Sequence, residues 1–134
     1  MKFLDSNVLI YAADETDLAK FDKACDIVDT AVRGNGFMIS AQVLNEFASV
    51  MFKKFKKPED EVDDLLSVLE AIKAVPVDPG MTRRALEIKK RYQVQFFDSL
   101  LLATAEANGC DEFWSEDLND GQLYCGIKAV NPFK

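Results

Sequence analysis

Residues 96–117 read FFDSLLLATAEANGCDEFWSED, and this stretch decides the fold class. From Ser99 to Ala107 it is apolar almost all round, the pattern of a helix packed on most of its sides. Asn108 and Gly109 end that helix, and Asp111–Asp117 follows as a short strand whose apolar residues give way to acids. A helix covered on most sides that feeds a short strand through a tight polar loop is the building unit of a parallel sheet with helices on both faces.

The alternation continues in both directions. Upstream, Asp78-Pro79 opens a helix that runs through about Tyr92, and Ala74–Asp78 (AVPVD) before it reads as a strand. Pro58 opens another helix, with Glu59, Asp60 and Glu61 in the first turn, where the helix dipole favours acids, and Leu65, Leu66, Val68, Leu69 and Ile72 on its buried side. Ser40 caps a helix reaching about Phe55, after a strand over Gly36–Ser40. Its polar face carries Gln42, Glu46, Ser49 and Lys53. Leu18–Val32 is a helix whose apolar stripe is Leu18, Phe21, Cys25, Val28 and Val32, stopped by Gly34 and Gly36. Met1–Asp5 is the first strand, and downstream Gly126–Val130 is the fifth, after the turn-rich Leu118–Gln122. The expectation is an α/β fold, a three-layer α/β/α sandwich around a parallel, roughly five-stranded sheet, forming one domain over residues 1–134.

Composition narrows the chemistry. The chain has 16 basic and 23 acidic residues, a net charge of −7, and no histidine. The missing histidine removes serine–histidine–aspartate hydrolysis, cysteine–histidine nucleophiles and histidine-ligated zinc together. Cys25, Cys110 and Cys125 are scattered, with no C-x-x-C spacing, and read as free thiols. No apolar run approaches the ~18–20 residues of a membrane span, and the N-terminal segment carries no cleavage site, so a cytoplasmic location is expected. Chemistry in this chain falls to its carboxylates and to what they bind.

Four acids from four separate stretches converge on the carboxyl edge of such a sheet, where ligands of parallel α/β folds bind. Asp5 ends the first strand and Asp117 closely follows the fourth, while Asp98 starts the apolar helix and Glu46 lies near the start of the helix leaving the second strand. Asp5 and Asp98 would each also serve as helix N-caps, and Glu46 as solvated surface. Carboxylates held together repel unless a cation offsets them, and oxygen ligands without histidine or cysteine suit Mg²⁺ or Mn²⁺. Between Tyr92 and Ile127 lie Asp98, Glu106, Asp111, Glu112, Glu116, Asp117 and Asp120, with no lysine or arginine. That segment cannot neutralise itself.

These residues resemble a known family. FLDSNVLIYA (3–12), QVLNEF (42–47), FFDSLLLATAEANGCDEFWSEDL (96–118) and GIKAVNPF (126–133), in this order and spacing, look like a PIN-domain ribonuclease of the VapC-like toxin type. The resemblance spans nearly the whole chain. It implies an acidic Mg²⁺ or Mn²⁺ site, endonucleolytic hydrolysis of RNA leaving 5′-phosphate and 3′-hydroxyl ends, a homodimer, and inhibition by a cognate antitoxin. Carried over by position, the acidic site falls on Asp5, Glu46, Asp98 and Asp117. Asn7 matches a polar residue that holds a carboxylate or water, with Ser99 and Ser115 as supporting hydroxyls and Asp120 as a looser match acting through water.

Positive charge for an RNA backbone is available in Lys53, Lys54, Lys56 and Lys57, and in Arg83, Arg84, Lys89, Lys90 and Arg91; solvated surface and ion pairing are the competing roles. Other readings stay open. A PIN nuclease of RNA processing needs no antitoxin. An inactive PIN domain would act as an RNA-binding module. A receiver-like switch would use Asp78 as phospho-acceptor, though Lys128 sits inside a strand. A phosphatase-like enzyme with an aspartate nucleophile wants a second aspartate where Asn7 stands.

Overall fold

A computed structural model describes residues 1–34 and 36–134. The elements are β1 (Lys2–Leu4), α1 (Ser6–Tyr11), α2 (Leu18–Val32), β2 (Phe37–Ser40), α3 (Ala41–Lys53), α4 (Glu59–Leu69), β3 (Lys73–Val75), α5 (Pro79–Tyr92), α6 (Phe96–Ala107), β4 (Glu112–Trp114), β5 (Leu123–Tyr124) and β6 (Ile127–Val130). The strands form one sheet in the order β3-β2-β1-β4-β6-β5, parallel throughout except for the antiparallel β5–β6 pair. No helix is long and apolar enough to cross a membrane among the described residues.

The expected α/β sandwich is present, with local differences. The sheet has six strands, because Leu123–Tyr124 makes a two-residue hairpin partner for β6. β3 stops at Val75, not Asp78, since Pro76 has no N–H for the ladder. Pro58 sits at the N-cap of α4 and Asp78 caps α5, accepting from the Met81 amide at 2.9 Å. α6 starts at Phe96, three residues ahead of the apolar run, so Asp98 lies inside its first turn.

The core sits on both faces of the central strands. Phe3 and Phe113, opposite each other in the β1–β4 register, stack with centroids 5.5 Å apart and an interplanar angle of 7°, and neither is exposed. Phe113→Ala is expected to cost about 3–5 kcal/mol by urea unfolding, because β1 and β4 close off any collapse into the gap. α2 buries Ala24, Ile27 and Ala31 most deeply; of the expected stripe Leu18 is exposed, while Val28 and Val32 are partly buried against the core. Cys25, Val28 and Val32 line an apolar groove of about 300 Å³ shared with α1 and α4, and Val68 is exposed at it.

A candidate metal centre

The parallel strands send their carboxyl ends to one edge, and β1 is where the connections change direction, with β2 on one side and β4 on the other. A crevice opens at such a switch point. Asp5 leaves β1 directly into it and is only 3% exposed. It also caps α1, its Oδ1 accepting from the Ser6 amide at 2.6 Å. Both roles weighed for Asp5 therefore fall on one side chain. Asp98 is half-buried in the first turn of α6, but it caps nothing, because the N-cap is Gln95. Asp117 reaches in from the loop after β4.

One oxygen from each of Asp5, Asp98 and Asp117 lies within 4.8 Å of the others. This is the span of oxygens around a single divalent cation, given metal–oxygen bonds of about 2.0–2.6 Å. Glu46 approaches through hydrogen bonds, Oε2 accepting from Ser6 Oγ at 3.1 Å and Oε1 from Gln42 Nε2 at 2.6 Å. Ser6 Oγ also donates to Asp5 at 3.3 Å, so one hydroxyl joins the two carboxylates. Ser115 Oγ donates to Asp5 Oδ2 at 2.7 Å and accepts from the Asp117 amide and from Asn7 Nδ2, which also donates to Asp117 at 3.1 Å. Asn7 Oδ1 is buried without a partner.

The electrostatics mark a site waiting for a cation. Burial pushes the Asp5 carboxyl up to about 7, helped by the charges of Asp98, Asp117 and Glu46 and opposed by the Ser115 hydrogen bond. Asp98 is pushed up to about 6 by burial and by Asp117 and Glu46. Other acids of the Tyr92–Ile127 segment borrow cations from outside it: Glu106 holds Arg84, Glu116 holds Lys20 and Asp111 holds the N-terminus. Among the described residues, no ion pair reaches Asp5, Asp98 or Asp117. An all-oxygen donor set, an unpaired buried acceptor and uncompensated charge fit a hard divalent cation.

A family model described as the PIN domain matches residues 2–119, from β1 to just beyond Asp117. The chain belongs to the PIN-domain family. Solved structures agree on the fold. This PIN domain is similar to a toxin–antitoxin complex from Klebsiella pneumoniae, with a TM-score of 0.72, 18% identity and 98% of each chain covered. It is similar to VapBC2 from Rickettsia felis bound to a DNA fragment from its promoter, with a TM-score of 0.71, 15% identity and 97% of each chain covered. Mycobacterium tuberculosis VapC20, a sarcin-ricin loop cleaving toxin, follows with a TM-score of 0.67 and 15% identity over 84% of this chain and 87% of that one. No curated protein matches the chain.

The structure separates the remaining candidates of the PIN site. Ser115 and Asn7 join the acids, as described. Ser99 Oγ instead donates to the Gln95 carbonyl of its own helix at 2.9 Å, and Asp120 accepts from the Asn131 amide at 2.8 Å, tying its loop to the end of β6. Neither bond involves the cluster. Asp78 caps α5 and, among the described residues, is not one of the acids that converge, so the receiver-like reading gains no acidic pocket around it. Ser6 and Gln42 were not singled out by motif, although Gln42 precedes Glu46 by one helical turn on the same polar face.

Sequence reasoning also missed how Asp117 is held. In the bend that follows Ser115, the Ser115 and Asp117 side chains join the acids while Glu116 is engaged elsewhere. There Lys20 Nζ meets Glu116 Oε2 at 2.9 Å, Tyr11 Oη donates to Oε1, and the Phe133 ring packs edge-on against Tyr11. Lys20→Met frees that loop without touching an acid of the cluster. The expected result is roughly tenfold weaker Mn²⁺ binding by calorimetry, the usual scale for outer supports of metal ligands. Lys20→Arg is expected to restore most of it.

Proposed function

We propose that this PIN domain is a divalent-metal-dependent endoribonuclease and the toxin of a toxin–antitoxin pair, acting as a homodimer in the cytoplasm, with residues 1–134 as one nuclease domain. The observation that carries the reading is the convergence of Asp5, Asp98 and Asp117 with no protein cation among them. The solved neighbours support the toxin role, since one is described as a toxin–antitoxin complex and another as a sarcin-ricin loop cleaving toxin.

Asp5, Asp98 and Asp117 would hold Mg²⁺ or Mn²⁺, which supplies a Lewis acid for the phosphate and lowers the pKa of water. Ser6 and Gln42 fix both oxygens of Glu46, leaving it oriented to accept a proton from the attacking water. Ser115 and Asn7 fix Asp5 and Asp117 in register with each other. Because water attacks and the RNA 2′-hydroxyl does not, the products carry 5′-phosphate and 3′-hydroxyl ends, and no histidine is required.

The test is to incubate the partner-free protein with end-labelled structured RNAs in Mn²⁺ or Mg²⁺ and to analyse the new termini. Cleavage that stops with chelator and leaves 5′-phosphates is expected. Cleavage that survives chelation, or leaves 2′,3′-cyclic phosphates, would overturn the metal-hydrolysis reading. Co-purification of the natively expressed protein with a small inhibitory protein would separate a toxin from an RNA-processing enzyme.

A further inference from the structure

The acid cluster stands at one end of a longer groove that the proposed chemistry does not use. Beside Glu46 and Asp98 lies a cavity of about 560 Å³ between α3, α6 and Val77, within the usual range of ligand pockets. Through Val77 it joins a second hollow along the start of α5, lined by Pro79, Arg83 and Leu86.

Three features of this groove need a partner. Phe97, immediately before Asp98, is 62% exposed, its ring steadied only edge-on by Phe96 at 5.3 Å. Gln42 is anchored by its amide nitrogen to Glu46 and to the Phe97 carbonyl, and beside it the exposed side-chain amide of Asn45 offers a donor and an acceptor to the groove. Further along are two cations with no ion pair among the described residues: Arg83, which lines the second hollow together with Asp78, and Lys53, at the end of the α3 stripe that carries Gln42, Glu46 and Ser49. An aromatic face, donors and acceptors for a base edge, and cations further along are what single-stranded nucleic acid requires. An apolar protein segment would cover Phe97 but leave Asn45, Lys53 and Arg83 unanswered.

We infer that this groove binds the single-stranded RNA that flanks the scissile phosphate: one unpaired base stacks on Phe97, Asn45 reads its edge, and the following phosphates run towards Lys53 and Arg83. The inference rests on the ribonuclease reading above. It makes Phe97 and Asn45 determinants of where the enzyme cuts.

The experiment maps cut sites on a mixed-sequence RNA in Mn²⁺ and measures kcat and KM for the wild type, Phe97→Ala, Phe97→Trp and Asn45→Ala, with molecular mass in solution and Tm for each. Phe97→Ala is expected to raise KM about tenfold, in keeping with the loss of one stacked base. It should also flatten the base preference at one position beside the cut. Phe97→Trp should keep both, and Asn45→Ala should alter the preference alone. If the wild type cuts RNA and Phe97→Ala cuts it with the same KM and preference, this subsite is wrong and the nuclease stands. If Phe97→Ala turns a dimer into a monomer with its preference unchanged, a second copy of the chain covers the ring and the inference falls. If the wild type cuts no RNA, the ribonuclease reading fails and takes this one with it.

Discussion

Asp98→Asn is expected to lower metal-dependent RNA cleavage by roughly 10²–10³-fold, the scale seen when a single charge-stabilising group is removed from a preorganised site. The same variant should be more stable than the wild type without metal. Asp98 contributes repulsion to a cluster in which burial and neighbouring acids already hold its carboxyl up at about 6. Because Asp98 is only half-buried, solvent screening reduces the gain to about 1 kcal/mol at pH 8, or roughly 3–5 °C in Tm. Asp5→Asn should lose activity to a similar extent with a smaller gain, since the aspartate also caps α1 and accepts from Ser115. A nuclease that dies while its fold strengthens cannot have died by unfolding. Rate and thermal melt measured on the same preparation check both halves.

The second large effect couples pH, metal and stability. Asp5 and Asp98 ionise at higher pH in the folded chain than in the unfolded one, whose carboxyls keep the ordinary value of 3.8. Between about pH 4 and 7 the folded state therefore binds more protons. Through these two groups, metal-free stability is expected to fall as pH rises through that window and to stay low above it. A cation reverses the trend, because it binds only the deprotonated acids. At pH 8, Mn²⁺ at about 100 times its Kd should add ~2.7 kcal/mol, roughly 10 °C in Tm, and at pH 5 far less. Thermal melts across pH with and without Mn²⁺ read this directly. A metal-free protein equally stable at pH 5 and pH 8 would contradict the assigned origin of the shifts.

Much of the site was legible because strand ends are legible. Asp5 and Asp117 close short apolar runs, and parallel topology carries both to one edge without any side-chain information. Asp98 was placed correctly on α6 but half-explained: Phe96 and Phe97 read as preceding the helix, whereas α6 includes them and leaves the N-cap to Gln95. In α2 the most deeply buried face is offset from the visible stripe of large residues: the small Ala24 and Ala31 allow close approach around Ile27, while Val28 and Val32 pack against the core only in part. β5 is two residues long and exists only through its pairing with β6, which no local pattern announces. The Lys20–Tyr11–Glu116 clamp joins residues about a hundred positions apart. Glu116 lies in a bend beyond β4, where no local pattern sets its direction, and only the fold supplies what it meets.

Titration of metal-free protein with Mn²⁺, followed by loss of the free-ion electron paramagnetic resonance signal, tests the proposed divalent-cation site of Asp5, Asp98 and Asp117 without substrate, partner or turnover. Saturable binding is expected at pH 8, weakening steeply towards pH 5 and lost in Asp98→Asn while that variant stays folded. Binding that is absent in the wild type, or unchanged in Asp98→Asn, would contradict it.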